Sequence, residues 1–189
     1  EDYVAKKGKK IIGWDEILES GAPAGAIVQW WRAERSAMKA LNKRHKLICS
    51  PINQLYLSQT DLPLYKPYFF TMSPSDIPAA TRGLVLGGEA ALWTEYCPQD
   101  KVDKYLFPKL FAVSEVFWRS RKGRVEEYAN FKKRVKVLSE RFKTTGINCD
   151  GVSSDPGQQI IGTWRISPDT KNSKELKWDL PDLPSSTIR

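Results

Sequence analysis

Histidine is almost missing from this chain: His45 is the only one in 189 residues. That scarcity argues against Ser-His-Asp and Cys-His nucleophile systems and against histidine-rich metal sites. His45 itself sits in Lys43-Arg44-His45-Lys46, just ahead of a strand-like run, where a surface position is expected. Cysteine is sparse as well. Cys49, Cys97 and Cys149 are widely spaced with no CxxC pair, and an odd count cannot close a disulfide framework. Buried free thiols are expected, with one disulfide as the alternative; neither a metal nor a cofactor is expected. No apolar run approaches the ~20 residues needed to span a bilayer. No signal peptide is visible, and the chain starts at Glu1 rather than Met. A processed chain or a fragment is therefore expected, and the N-terminus does not reveal localisation.

If this fold does chemistry, carboxylates and aromatics must carry it. The residues are 41% hydrophobic and 28% charged, enough in 189 residues for one real core. The net charge is +8, from 30 Lys+Arg against 22 Asp+Glu. A basic balance can indicate nucleic acid or an anionic polymer. Here much of the excess falls in Arg119–Arg124 and along 125–144, where Tyr128, Phe131, Val135, Leu138 and Phe142 form an apolar stripe at helical spacing. The cations then read as the solvated face of an amphipathic helix. No zinc-finger spacing or RNA-binding aromatic signature accompanies them, so no nucleic-acid partner is expected.

Strand-like runs recur, each leading into aromatics. Lys10–Gly13 precedes Trp14-Asp15-Glu16, and Ala26–Gln29 precedes Trp30-Trp31-Arg32. Lys46–Pro51 leads to Tyr56-Leu57-Ser58, and the run from Leu84 leads to Trp93-Thr94-Glu95. Helix-compatible stretches, 34–43 and 105–120, lie between or after them. Strand, helix, strand at this repeat length predicts βαβ units and a parallel sheet, here four β/α units over about residues 8–122. The segment Leu84–Tyr96 is the most informative. An apolar run stops at Gly87-Gly88 and delivers Glu89, Trp93 and Glu95. A buried strand that presents acids and an aromatic at its C-terminal edge is how α/β sheets and β/α barrels build ligand sites. An indole face beside carboxylates suits a neutral polyhydroxylated ring, although a single Trp after a strand is more often core packing than a ligand platform.

The ordered series Gly13-Trp-Asp-Glu-Ile17, Val28-Gln-Trp-Trp-Arg32, Ser50-Pro51 with Tyr56-Leu57, Gly87-Gly-Glu-Ala-Ala-Leu-Trp-Thr-Glu95, Phe107-Pro-Lys-Leu110 and Gly146-Ile-Asn148 resembles the β-N-acetylhexosaminidases of glycoside hydrolase family 20. The resemblance covers about residues 8–149. It implies an α/β fold: the second half, strands five to eight, of a (β/α)8 TIM barrel. It also implies substrate-assisted retaining hydrolysis, an exception to the two-carboxylate scheme, in which the substrate's 2-acetamido oxygen attacks the anomeric carbon. The general acid Glu and its partner Asp belong to the end of the fourth strand in that family. No residue before Lys10 matches them, so the resemblance implies that the pair is not in this chain. Asp15 and Glu16 are read instead as supports of the site wall.

The same resemblance implies a substrate-binding set of Trp14, Trp31, Tyr56, Ser58, Trp93 and Glu95. The three indoles would enclose the acetamido group, excluding water and holding its oxygen near the anomeric carbon. Tyr56 would donate its hydroxyl to the acetamido oxygen and so orient it. Glu95 would accept from ring hydroxyls. Period-two alternation puts Trp30 on the opposite side of its strand from Trp31, as packing; Glu89 is read as structural. The family commonly carries Asp where Ser58 stands. The shorter neutral side chain either weakens recognition of the sugar's 6-hydroxyl or admits a 6-sulfated sugar that a carboxylate would repel.

Residues 151–189 differ in character. A polar linker from Gly151 to Gly157 precedes two expected strands, Gln159–Trp164 and Glu175–Leu180, read as the start of a β-sandwich-like segment. Trp164 and Trp178 are core positions in that reading, or a carbohydrate platform in the alternative. The expected domains are thus 1–150, a half barrel, and 151–189, a linker with an incomplete β-rich segment. Half a barrel leaves open edges and an uncovered interior face, so its expected partners are a glycan containing N-acetylhexosamine and either the missing N-terminal half or a second copy. A sugar-binding remnant without catalysis is the alternative function. The family's usual setting is extracellular, periplasmic or lysosomal.

Overall fold

The computed structural model describes residues 2–59, 62–71, 77, 79–95, 97–119 and 124–149, and the strand pairs 165–166 and 178–179. Two compact units divide the chain, Glu1–Asp155 and Pro156–Arg189. In the first, a short helix α1 (Asp2–Lys6) precedes β1 (Ile12–Trp14), a 3-10 turn (Asp15–Leu18), β2 (Ile27–Trp30), α2 (Glu34–Asn42) and β3 (Lys46–Cys49). Then follow α3 (Ile52–Leu55), α4 (Tyr65–Tyr68), a 3-10 turn (Ala79–Leu84), β4 (Val85–Gly88), α5 (Val102–Leu106), α6 (Lys109–Arg119) and α7 (Val125–Thr144). The second unit contains an antiparallel pair, β5 (Arg165–Ile166) and β6 (Trp178–Asp179). Of the strands expected there, Gln159–Trp164 lies outside the described residues, while 175–180 overlaps β6.

The four strands of the first unit are parallel and in chain order, β1-β2-β3-β4. One face is dry. Val28 and Trp30 of β2, Leu47 and Cys49 of β3, Ala37, Ala40 and Leu41 of α2, and Val113 and Val116 of α6 share a single apolar cluster. Ala37, Ala40 and Leu41 recur at helical spacing, which turns one stripe of α2 onto the sheet. Burying each large aliphatic side chain here contributes about 1.5–3 kcal/mol. Close approach at β4 depends on glycine: a Cβ on Gly88 would stand 2.5 Å from Cζ of Phe117 on α6. A second cluster joins Leu64 and Tyr68 with Ala112 of α6 and Tyr128, Phe131 and Val135 of α7.

The other face of the sheet is open among the described residues. Ile12 is 53% and Leu86 50% exposed, and Ile27 and Ile48 are half-buried. Parallel strands are ordinarily covered on both faces. Among the described residues, β1 and β4 each pair on one side only.

Three local expectations are corrected. His45 is buried, and its Nδ1 lies 3.1 Å from the carbonyl oxygen of Ala26. The turn at Arg44, which has φ 64°, folds the ring inward just before β3. The helix expected over 105–120 is two helices, because Phe107 is extended ahead of Pro108, as the residue before a proline prefers. Leu84 belongs to a turn rather than a strand, and β4 runs on through Gly88 with an irregular register opposite Leu47 and Ile48. The three cysteines are buried and none forms a disulfide, and burial pushes the Cys49 thiol up to about 12.

Candidate active site

The C-terminal ends of the four parallel strands lead to four aromatic rings. Trp14 closes β1, Trp31 follows β2 directly, Tyr56 comes after β3 by way of α3, and Trp93 follows β4. Tyr56 is held by a parallel bridge to Ala91 rather than by a strand. Its neighbours complete the link: Leu57 N–H donates to the Ala91 carbonyl at 2.7 Å and Ala91 N–H to the Leu55 carbonyl at 2.9 Å.

The rings form a closed circuit. Trp14 meets Trp31 edge-on, with centroids 6.5 Å apart and planes at 80°. Trp31 lies nearly parallel to Tyr56, at 6.0 Å and 13°. Tyr56 meets Trp93 at 6.2 Å, and Trp93 returns to Trp14 at 5.9 Å, both tilted by 53°. Aromatic pairs favour such offset and edge arrangements. Tyr56 is nearly buried, Trp14 and Trp31 half-buried, and Trp93 is 41% exposed. The result is an apolar wall with one side open to solvent.

Polar groups hold this wall from behind. Asp15 is fully buried. The backbone N–H groups of Trp31 and Arg32 donate to its Oδ2 at 3.2 and 3.1 Å, and Arg32 Nε donates to its Oδ1. Arg32 also donates from Nη1 to Glu19 at 2.6 Å. Glu19 first, and then Asp15, hold the Arg32 guanidinium above its ordinary range. Glu16 accepts the Trp31 indole N–H. Across the site, Gln29 Nε2 donates to Glu89 Oε1 at 2.6 Å, and the Ser50 hydroxyl donates to the Glu89 carbonyl at 2.8 Å. Trp30 points the other way, into the core, with its indole N–H on the carbonyls of Arg32 and Ala33.

Burial raises the Tyr56 phenol, and the carboxylates of Glu16, Glu89 and Asp15 raise it further, against a hydrogen bond from the Trp93 side chain. The hydroxyl therefore stays protonated, and a donor, beyond the ordinary tyrosine range. Of the six residues expected to bind substrate, Trp14, Trp31, Tyr56 and Trp93 are thus brought together. Ser58 is nearly buried two residues after Tyr56, and Glu95 is exposed two residues after Trp93. Neither hydrogen-bonds to the four rings among the described residues.

Comparison with known proteins decides the family. The model of "Glycosyl hydrolase family 20, catalytic domain" matches residues 1–121. The chain belongs to glycosyl hydrolase family 20. A β-hexosaminidase of Porphyromonas gingivalis is 34% identical over 163 residues, covering 78% of this chain and 21% of that protein. A β-N-acetylhexosaminidase of Cellulomonas fimi is 30% identical over 156 residues, covering 70% of this chain and 32% of that protein. Among solved structures, a Flavobacterium johnsoniae chitobiase matches with a TM-score of 0.65 and 29% identity over 76% of this chain and 22% of its own. The chain thus spans between a fifth and a third of the length of these relatives. Family and neighbours imply a TIM-barrel catalytic domain, and the parallel sheet with its helices is an α/β arrangement of that kind.

One cavity lies away from the ring circuit. It occupies about 750 Å³ between α6 and α7, lined by Glu115, Trp118, Arg119, Glu127, Arg134 and Leu138 among others. Its charges pair with one another: Arg119 with Glu115 and Glu127, and Arg134 with Glu115. None of the six expected residues lines it. Lys109 stands in the Phe107–Leu110 motif, but the sequence assigns it no role. The available signal was a lysine in the first turn of a helix, directly after Pro108, where an acid is favoured.

Proposed function

We propose that this chain is the second half of the TIM barrel of a β-N-acetylhexosaminidase that releases terminal non-reducing β-linked N-acetylglucosamine or N-acetylgalactosamine. The closed circuit of Trp14, Trp31, Tyr56 and Trp93 carries the reading. Four apolar walls at the C-terminal edge of a parallel sheet suit an acetamido methyl and the C–H face of a pyranose. Ser58 and Glu95 complete the substrate-binding set, with Glu95 accepting from ring hydroxyls. The open sheet face at Ile12 and Leu86 and the one-sided pairing of β1 and β4 support the half-barrel reading, with the N-terminal half as the partner that covers them. Export to an extracellular, periplasmic or lysosomal setting belongs to the same proposal.

The reaction is substrate-assisted. The acetamido oxygen bonds to the anomeric carbon as the glycosidic C–O bond breaks, and the leaving oxygen takes a proton from the general acid Glu. Water, giving a proton to the same Glu, then bonds to the anomeric carbon as its bond to the acetamido oxygen breaks, and two displacements at one carbon retain configuration. Tyr56 donates to the acetamido oxygen and holds it on line for attack, a proximity effect. The indoles exclude water from the same space. The general acid and its partner Asp come from outside this chain, so the isolated chain is inactive.

The test is hydrolysis of 4-nitrophenyl N-acetyl-β-glucosaminide by this chain alone and mixed with an N-terminal half carrying the Asp-Glu pair. Activity only in the mixture is expected. Activity of the chain alone would move the acid role to Asp15, Glu16 or Glu95. An inactive mixture whose indole fluorescence still responds to N-acetylglucosamine but not to glucose would leave a binding function without catalysis.

A further inference from the structure

Lys109 opens α6, and the residue is only 7% exposed. Both facts count against a lysine. The N-terminal end of a helix carries partial positive charge, so a cation is disfavoured there. Removing an ammonium group from water costs several kcal/mol unless hydrogen bonds replace the lost hydration. A position that opposes both local preferences calls for a compensating role.

Its contacts show where that compensation lies. Nζ donates to the carbonyl of Leu57 at 2.7 Å and to the carbonyl of Gln59 at 3.0 Å. It also lies 5.7 Å from the centroid of the Tyr105 ring, within range of a cation–π attraction. The two carbonyls flank Ser58, one and three residues after Tyr56. On the opposite side, the same short segment is fixed by the Ala91 bonds, two residues before Trp93. The backbone carrying Tyr56 is therefore gripped from two directions, by β-type bonds next to Trp93 and by a buried ammonium from α6. An ammonium suits this second grip. Its three protons fan out from one atom, so two carbonyls that diverge around one residue are both reached.

We propose that Lys109 is a positioning residue for Tyr56, setting the backbone of residues 57–59 so that the Tyr56 hydroxyl meets the acetamido oxygen. The role rests on the hexosaminidase reading above. Without the ammonium, the nearly buried Leu57 loses a carbonyl partner, and the segment relaxes toward other donors. A displacement of about 1 Å at a reacting group lowers turnover by about a hundredfold. Lys109 is not in the proposed substrate-binding set, so its loss acts on kcat through Tyr56.

The experiment is a double-mutant cycle in the assembled enzyme, with Lys109→Met, Tyr56→Phe and the pair together. Lys109→Met is expected to lower kcat by about ten- to a hundredfold. In the Tyr56→Phe background the same change is expected to lower kcat by less than about threefold, because the hydroxyl being positioned is already gone. Multiplicative losses, with Lys109→Met equally costly in both backgrounds, would overturn the proposal and leave Lys109 a structural residue. If Lys109→Met does not fold by circular dichroism, Lys109→Gln replaces it. The shorter amide keeps one donor group, and the same dependence on Tyr56 is required of it. Wild-type enzyme that hydrolyses while the cycle is additive sinks the Lys109 role alone. Wild-type enzyme that does not hydrolyse sinks the hexosaminidase reading and this role with it.

Discussion

Both carboxylate oxygens of Glu16 accept the indole N–H of Trp31, at 3.0 and 3.1 Å. An indole has one polar edge, and fixing that edge fixes the rotation of the whole ring. Trp31 is in contact with both Trp14 and Tyr56, so its rotation sets half of the ring circuit. Glu16→Ala should raise KM for 4-nitrophenyl N-acetyl-β-glucosaminide in the assembled enzyme by about two- to fivefold. The effect is small because Glu16 is exposed and water replaces the lost acceptor. Glu16→Gln keeps an acceptor oxygen and should stay near wild type. Equal KM values for all three proteins would remove Glu16 from the site.

Asp15 does a heavier job. It is fully buried and takes two backbone N–H groups and the Arg32 guanidinium. Asp15→Ala leaves the backbone N–H groups of Trp31 and Arg32 without their acceptor, at about 1–3 kcal/mol each, while the part-exposed Arg32 guanidinium keeps Glu19. With ~2–4 °C lost per kcal/mol in a chain of this size, the melting temperature should fall by at least about 4 °C. Asp15→Asn keeps one oxygen and should fall less. Thermal denaturation of the three proteins checks the order, and an Asp15→Ala melting temperature within 2 °C of wild type would contradict the buried clamp.

Much of the fold was legible because its signals are local. Val125–Thr144 forms the helix that its Tyr128, Phe131 and Val135 stripe predicts, and α2 sits where Ala and Leu recur at helical spacing. The four parallel strands lie near their apolar runs, and the aromatics that follow those runs are the ones the fold gathers. What the sequence hid depends on distant partners. Asp15 reads as a support of the site wall, but only folding shows what it holds, the backbone of Trp31 and Arg32. Lys109 is only a motif position until α6 turns it under the Tyr56 segment. His45 reads as exposed among Lys43, Arg44 and Lys46, yet the turn at Arg44 hides it beside Ala26. The division of Tyr105–Ser120 into two helices, by contrast, was written in Pro108.

Gly88 leaves no room for a side chain between the sheet and α6. A Cβ there would meet Cζ of Phe117 at 2.5 Å and the Cys49 carbonyl at 3.2 Å. Overpacking of this kind costs about 1–3 kcal/mol. Gly88→Ala should therefore lower stability by that amount in urea titration. Phe117→Leu in the same chain should recover part of it, since a smaller side chain yields where a ring end does not. A double variant no more stable than the sum of the two single losses would show that the helix, not the ring, sets the limit.

Tyr68 presents the opposite case, a buried group whose polarity the fold does not use. Its ring is fully covered and stacks on Phe131, with centroids 4.5 Å apart, yet its hydroxyl has no hydrogen-bond partner among the described residues. Burial pushes this phenol up to about 12 from an ordinary 10, with the charges of Glu115 and Glu127 adding to the rise. Folding therefore favours the protonated form. The contribution from that preference is fully present below about pH 10, where the unfolded phenol begins to ionise, and is lost as pH rises toward 12. Tyr68→Phe removes both the stranded hydroxyl and the titration. At pH 7 it should gain about 1 kcal/mol, or ~2–4 °C in melting temperature, because a buried hydroxyl without a partner is costly and the ring packing is unchanged. Between pH 10 and 12 the gain should widen, since only the wild type then loses stability through this phenol. Melting curves of both proteins across pH 7–12 decide it. A variant that melts below wild type at pH 7 would mean that the hydroxyl has a partner in solution, and a constant difference across the range would mean that the phenol does not titrate with unfolding.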